Sequence, residues 1–393
     1  MELGIDRFLA GEHKKFAKLR LGVLCNQASV DSRLRHVRDL VLDPKLKLKI
    51  GCFFGPQHGI RGEKQDNMIE SDDFTDPKSE LPVYSLYGST REPTPKMIEG
   101  IDAFLVDLQD IGTRIYTFMY TLANCMRVAR AHGRKVIVLD RPNPIGGTLT
   151  EGNALEPAFA SFVGQFPMCV RHGLTMGELA TLFNEEYGIG CELEIVPLKG
   201  WRRDTFRDES VADWIPPSPN IPRFLSALTF PGSVLFEGTN VSEGRGTTRP
   251  FEWIGAPFID PDRLAVRMNA LRLPGTYFRP IFFQPGFQKC KDQVCGGVQV
   301  HVTDPFRFNS FRAGVGLLFA IHELFPGKLE WKRPPYEYEY ERMPIDLIAG
   351  TALLRECVES GKPESFEQAA QKSLDTFRRT RRDYLLYPER RRR

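Results

Sequence analysis

Leu21-Gly22-Val23-Leu24-Cys25, Leu48-Lys49-Ile50-Gly51-Cys52-Phe53-Phe54, Ala103-Phe104-Leu105-Val106 and Val136-Ile137-Val138-Leu139 decide the fold class. Each is a short, strand-favouring apolar run, too brief for a helix and without the polar alternation of a half-exposed strand. Continuous runs of this length belong to strands covered on both faces, as in a parallel sheet. Between the last two, Tyr116 to Ala131 carries Phe118, Leu122, Met126 and Val128 at helical spacing, with Gly133 as a stop. This βαβ alternation predicts a Rossmann-like, α/β first domain over residues 1–155.

Past Gly147 the alternation weakens. A helix from Thr175 to Tyr187 and a strand from Glu192 to Leu198 lead into Trp214-Ile215-Pro216-Pro217-Ser218-Pro219-Asn220-Ile221-Pro222, which proline excludes from helix and inner strand and which reads as an ordered loop. Strands over Thr276 to Gln284 and Gly297 to Val302, with helices over Phe308 to Phe325 and Phe366 to Arg378, predict a smaller α+β domain over 156–393. A chain of 393 residues exceeds the usual size of one core, so two lobes with the site in the cleft between them are expected.

Polar clusters follow each of the four apolar runs: Asn26-Gln27, Gly55-Pro56-Gln57-His58, Asp107-Leu108-Gln109-Asp110 and Asp140-Arg141-Pro142-Asn143. Ligands of open parallel sheets bind at the carboxyl ends of the strands, so these clusters point at one site. In the second cluster, continued by Gly59-Ile60-Arg61-Gly62-Glu63, glycines permit a tight turn that presents His58 and Arg61 to an anionic group. In the third, Asp107, Gln109 and Asp110 suit sugar hydroxyls, with Arg114 and Tyr116 at the start of the following helix; Asp110 and Thr113 suit helix capping equally well. Asp140, Arg141 and Asn143 complete the rim.

The segment Phe236-Glu237-Gly238-Thr239-Asn240-Val241-Ser242-Glu243-Gly244-Arg245-Gly246-Thr247-Thr248-Arg249-Pro250-Phe251-Glu252-Trp253 fits neither a core helix nor a strand. Carboxylates interleaved with arginines suit acid/base work on a glycosidic bond, one carboxyl protonating the leaving oxygen and another supporting the opposite face. The alternative is a solvated turn whose salt bridges contribute little.

Composition narrows the rest. The net charge of +3 balances 53 basic against 50 acidic residues, and Arg391-Arg392-Arg393 is too short for a nucleic-acid face. Met1 to Leu9 has neither a basic nor an apolar leader region, and no run is long enough to cross a bilayer, so a cytoplasmic protein without membrane partners is expected. The eight cysteines show no paired C-x-x-C, so neither a zinc knuckle nor a disulfide scaffold is suggested and buried thiols are expected. No dinucleotide, nucleoside-triphosphate, zinc-protease or serine-hydrolase signature is present, and no metal or organic cofactor is expected. Cys295 and His301, six residues apart along a strand, are separated by roughly 20 Å, too far for a thiol dyad.

Taken together, Gly55-Pro56-Gln57-His58-Gly59 with Arg61-Gly62, Leu81-Pro82-Val83-Tyr84-Ser85-Leu86-Tyr87-Gly88, Asp107-Leu108-Gln109-Asp110 with Gly112-Thr113-Arg114, Asp140-Arg141-Pro142-Asn143-Pro144 and Phe236-Glu237-Gly238-Thr239-Asn240 with Ser242-Glu243-Gly244-Arg245-Gly246-Thr247 resemble the bacterial NamZ-type exo-β-N-acetylmuramidases. The resemblance implies a cleft that releases N-acetylmuramic acid from the non-reducing ends of peptidoglycan fragments, in cell-wall recycling where no leader is carried. It also gives Arg61, Arg114, Arg141, Arg245 and Arg249 a reason, as clamps for the lactyl carboxylate of that sugar. Glu237 and Glu243 are the expected catalytic carboxyls, Gln57 and His58 orient the substrate, and Glu63, Asn240 and the rim residues bind it. The family pattern has Glu where this chain has Gln57, and an amide cannot exchange a catalytic proton as a carboxyl does. A non-catalytic binder or sensor of muramic-acid fragments is therefore the alternative reading.

Overall fold

A computed structural model describes residues 1–66, 68–206 and 214–389; the arginines at 391–393 lie outside these. Its strands are β1 (Arg20–Cys25), β2 (Lys49–Gly55), β3 (Phe74–Thr75), β4 (Pro82–Ser85), β5 (Ala103–Asp107), β6 (Lys135–Leu139), β7 (Glu151–Ala154), β8 (Cys169–Arg171), β9 (Glu192–Val196), β10 (Trp253–Ala256), β11 (Thr276–Phe283) and β12 (Cys295–Val302).

Seven strands form one sheet in the order β3-β4-β2-β1-β5-β6-β9, parallel except for the β3 edge. The four apolar runs are its centre, and successive side chains alternate between two covered faces. Leu24, Phe54, Phe104, Val106 and Val138 pack with the helices Phe118–Ala131 and Met176–Glu185, whereas Val23, Phe53, Leu105 and Ile137 pack with Ile5, Phe8, Val37 and Leu40. Burial on both sides is why these strands show no polar alternation in sequence.

The βαβ pattern resumes after the short β7–β8 pair, at Thr175, whose hydroxyl caps the helix Met176–Glu185. That helix and β9 belong to the large sheet although they lie beyond residue 155, so the division expected at 155/156 cuts a segment that completes the sheet.

The second lobe is built on the antiparallel sheet β10-β12-β11, backed by the helices Phe224–Ser233, Pro261–Ala270 and Ser310–Leu324. The first and last of these cross in backbone contact: a Cβ on Gly232 would stand 1.9 Å from the Ser310 carbonyl oxygen, which only glycine tolerates. The helix Pro363–Arg382 returns to the first lobe, where Arg378 donates to the Thr150 hydroxyl at 2.8 Å and Tyr387 donates to Asp140 at 2.5 Å. Among the described residues no helix is long and apolar enough to cross a membrane.

Candidate active site

A cavity enclosing about 460 Å³, counting the part open to solvent, lies beyond the carboxyl ends of β2 and β5, between the two lobes. The first lobe supplies Gln57 and His58 from the loop after β2, and Tyr116 and Thr117 from the entry to the helix Phe118–Ala131. His58 and Gly59 both take left-handed backbone (φ 70° and 81°), which folds this loop back on the strand it leaves. The second lobe supplies Glu237 from the 3₁₀ segment Val234–Gly238, Arg245 from between two left-handed glycines, and Tyr336 with Glu337 from a tight turn. Ser218, Asn220 and Ile221 of the Pro-rich stretch line one wall. That stretch is an ordered loop lashed to the sheet, with Asn26 and Gln27 donating to the Pro217 and Pro216 carbonyls.

The polar groups of the cavity are nearly sealed from water. Arg245 Nη2 lies 2.6 Å from Glu237 Oε1, while the Tyr336 hydroxyl donates to Glu237 Oε2 at 2.7 Å. Arg245 also faces Glu243 and Asp66, each at 3.6 Å. Burial works against the Arg245 charge, but these three carboxylates overcome it and hold the guanidinium above its usual value. Glu243 is 2.6 Å from Lys289 Nζ, so that despite burial Lys289 and Arg245 hold it below the ordinary carboxylate range. Burial, reinforced by Arg245, pushes His58 down to about 4 despite its Nδ1 bond to the Lys64 carbonyl at 2.7 Å. That bond places the proton on Nδ1 and leaves Nε2 of a neutral ring as an acceptor. Gln57 accepts from the Thr117 hydroxyl at 2.6 Å, and its Nε2 donates to Glu337 Oε1 at 3.1 Å. Burial, aided by the Glu237 charge and opposed by a hydrogen bond from Tyr87, pushes Glu337 up to about 7.

The family models for the exo-beta-N-acetylmuramidase NamZ match this chain with both their parts, N-terminal over residues 21–225 and C-terminal over 228–387. The chain belongs to this family. It is 41% identical over 389 residues to the peptidoglycan beta-N-acetylmuramidase NamZ of Bacillus subtilis (strain 168), covering 98% of this chain and 91% of that protein. Two crystal structures of DUF1343 family proteins from Bacteroides fragilis NCTC 9343 share the fold. One superposes with a TM-score of 0.89 at 34% identity, covering 98% of this chain and 99% of the other. The second has a TM-score of 0.75 at 26% identity and covers 99% of each chain.

Of the residues singled out in sequence, this NamZ-family cavity gathers Gln57, His58, Tyr116, Glu237 and Arg245. The others are placed elsewhere, each for a physical reason. Asp107 and Arg141 spend their charges on each other at 2.5 and 2.8 Å, fully buried. Asp140 accepts from the Arg141 and Gly177 amides and from the Thr175 and Tyr387 hydroxyls, and burial pushes it up to about 7. Gln109 donates to the Asp110 and Pro142 carbonyls, Asp110 accepts from the Gly112 amide, and Asn143 bonds the Leu174 carbonyl and the Ile145 amide. Arg114 is buried, donating to the carbonyls of Asn153, Met168 and Ile348, and does not line the cavity. Arg61 is exposed over the Phe74 ring, Glu63 lies in a separate groove beside Gly59, Asn240 bonds Lys328 and Glu330 backbone, and Arg249 faces Glu252 at 3.9 Å. Glu243 sits behind Arg245, locked by Lys289, and does not line the cavity.

Thr117, Tyr336, Glu337 and the supporting Tyr87 and Lys289 were not expected as site residues. The signal for Glu337 is Tyr336-Glu337-Tyr338-Glu339-Tyr340, an acid and aromatic alternation just after Pro334-Pro335.

Proposed function

We propose that this chain is a glycosidase that releases N-acetylmuramic acid from the non-reducing ends of peptidoglycan fragments. The observation that carries the reading is the sealed cluster of Glu237, Arg245 and the Tyr336 hydroxyl, set against the Gln57–His58 loop where the two family domains meet. A buried carboxylate held in one orientation by two donors is suited to stabilise the positive charge that develops at the anomeric carbon, because little water competes for it. Arg245 Nη1, 3.6 Å from Asp66 on the more open side, is the group we assign to the lactyl carboxylate. Removal of single sugars from chain ends suits turnover of wall material already cut, and cell-wall recycling is the role assigned here. Work in a reducing compartment such as the cytoplasm suits a chain whose eight cysteines are all free thiols.

A chromogenic N-acetylmuramic acid glycoside should be split while the matching N-acetylglucosamine glycoside is not. Equal rates on both would remove the assignment of the substrate, and tight binding without cleavage would replace the glycosidase by a sensor.

A further inference from the structure

We propose that Glu337 is the proton-donating carboxyl of this chain, poised by Gln57 and Tyr87 to protonate the leaving oxygen of the glycosidic bond. The proposal rests on the glycosidase reading above. Gln57, at the head of the glycine-flanked loop, is an amide and can donate a hydrogen bond but not deliver a proton. The carboxyl it touches can.

The hydrogen-bond pattern says where the proton of Glu337 points. Gln57 Nε2 donates to Oε1 at 3.1 Å, and the Tyr87 hydroxyl donates to Oε2 at 2.6 Å. Tyr87 is itself saturated as an acceptor, receiving the Met68 amide at 2.9 Å and Gln57 Nε2 at 3.1 Å, so its own hydrogen goes to Glu337. Both neighbours therefore donate, and neither can take the carboxyl's hydrogen, which is left to face the cavity that Glu337 lines.

The three buried carboxyls of the region are also differentiated by their partners. Glu237 has Arg245 at 2.6 Å and Glu243 has Lys289 at 2.6 Å. Glu337 is 5% exposed, and among the described residues no cation forms a salt bridge with it. The groups facing it are Glu237, Arg245, Gln57, Tyr87 and Tyr336; burial and the Glu237 charge outweigh the Tyr87 and Gln57 hydrogen bonds and the Arg245 charge, and keep it protonated up to about pH 7. Its backbone supports the same role. Glu337 and Tyr338 occupy the two central positions of a turn closed by reciprocal Tyr336–Glu339 backbone bonds, with φ of 47° and 66°. Side chains other than Gly, Asn or Asp are disfavoured there, and strain of this kind persists where a side chain must be aimed.

The step balances. As the bond from the anomeric carbon to the leaving oxygen breaks, the Glu337 proton passes to that oxygen and the leaving sugar departs as a neutral alcohol. The new Glu337 carboxylate keeps its bonds from Gln57 and Tyr87. A water oxygen bonds to the anomeric carbon, its surplus proton passes to the Glu237 carboxylate and from there to solvent, and solvent returns a proton to Glu337.

The test is the Glu337→Gln variant on two muramic-acid substrates: a disaccharide, whose leaving sugar needs a proton, and a dinitrophenyl glycoside, whose leaving group does not. Loss of a general acid should lower kcat on the disaccharide by ~10²–10⁴-fold and on the aryl glycoside by far less. The parent's activity on the disaccharide should fall as pH rises through about 7, and the variant should lack that limb. Comparable losses on both substrates, or an unchanged pH limb, would overturn the proposal. The aryl glycoside also reports that the variant is folded. A parent inactive on both substrates would instead overturn the glycosidase reading itself.

Discussion

Replacing Lys289 by Met should unseat the segment that carries Glu237. Lys289 Nζ is 2.6 Å from Glu243 and donates to the carbonyls of Phe236 and Val241 at 2.5 and 2.7 Å. The ammonium thus ties both ends of the turn around Glu237 to a carboxylate that is 2% exposed. Without it, the cation left beside Glu243 among the described residues is Arg245, at 3.6 Å and shared with two other carboxylates. Breaking a buried pair by removing one partner costs ~3–5 kcal/mol, because the remaining charge stays out of water. With an unfolding entropy of roughly 2.1 cal/mol/K per residue, that loss corresponds to about 4–6 °C in calorimetry for a chain of this length. The pH dependence is diagnostic. In the parent, the folded Glu243 carboxyl is held below its ordinary 4.5, so its stabilisation is present above that pH and is lost as pH falls below it. In Lys289→Met, burial without the cation reverses the direction, so stability should rise as pH falls from neutral towards 4.5. Adding Glu243→Gln should recover ~2 kcal/mol of the loss. A single-variant loss below ~1 kcal/mol, or a pH profile identical to the parent's, would refute the account of Glu243 as a lock.

Arg114→Met should destabilise by ~2–4 kcal/mol in urea unfolding, since three buried carbonyls lose their donors, with KM little changed in the folded fraction; a large KM effect alone would restore Arg114 as a substrate clamp. Arg61→Ala removes an exposed cation over Phe74 and should change stability by under ~1 kcal/mol, which thermal melts would check. A hydrogen bond with Cys295, opposed by burial and aided by Lys289, lowers the Cys290 thiol to about 7. Cys290 should therefore be the first of the eight thiols alkylated by iodoacetamide at pH 7.5, as read by peptide mass spectrometry, and earlier labelling of Cys52 or Cys357 would contradict this. Glu237→Gln should lower kcat by ~10²-fold or more on both disaccharide and aryl glycosides, whereas a loss confined to the disaccharide would exchange its role with that of Glu337.

The parallel sheet was legible because strands buried on both faces must be apolar throughout, and β1, β2, β5 and β6 lie within two residues of the quoted runs. Its last strand was legible as a strand but not as a member of that sheet, because the β7–β8 insertion interrupts the βαβ rhythm without marking where it resumes. In the site, glycines on either side of Gln57–His58 and of Arg245 marked loops that present side chains, and these do line the cavity. Asp107 and Asp140 stand at strand ends and Arg114 in the loop after β5, yet all three face inward, since spacing along the chain does not distinguish a buried structural partner from a residue that meets a ligand. Glu237 and Glu243 looked equivalent in sequence; the lysine that separates their roles comes from position 289, far along the chain. Glu337 escaped notice because its placement depends on a left-handed turn built from residues that rarely adopt one.

The most direct test of the central claim is mass-spectrometric detection of free N-acetylmuramic acid from a disaccharide with that sugar at its non-reducing end. The parent protein should release the two sugars in equimolar amounts, and release none when N-acetylglucosamine occupies the non-reducing end. Binding of the muramic-acid disaccharide with no free sugar formed, or equal release from both disaccharides, would contradict it.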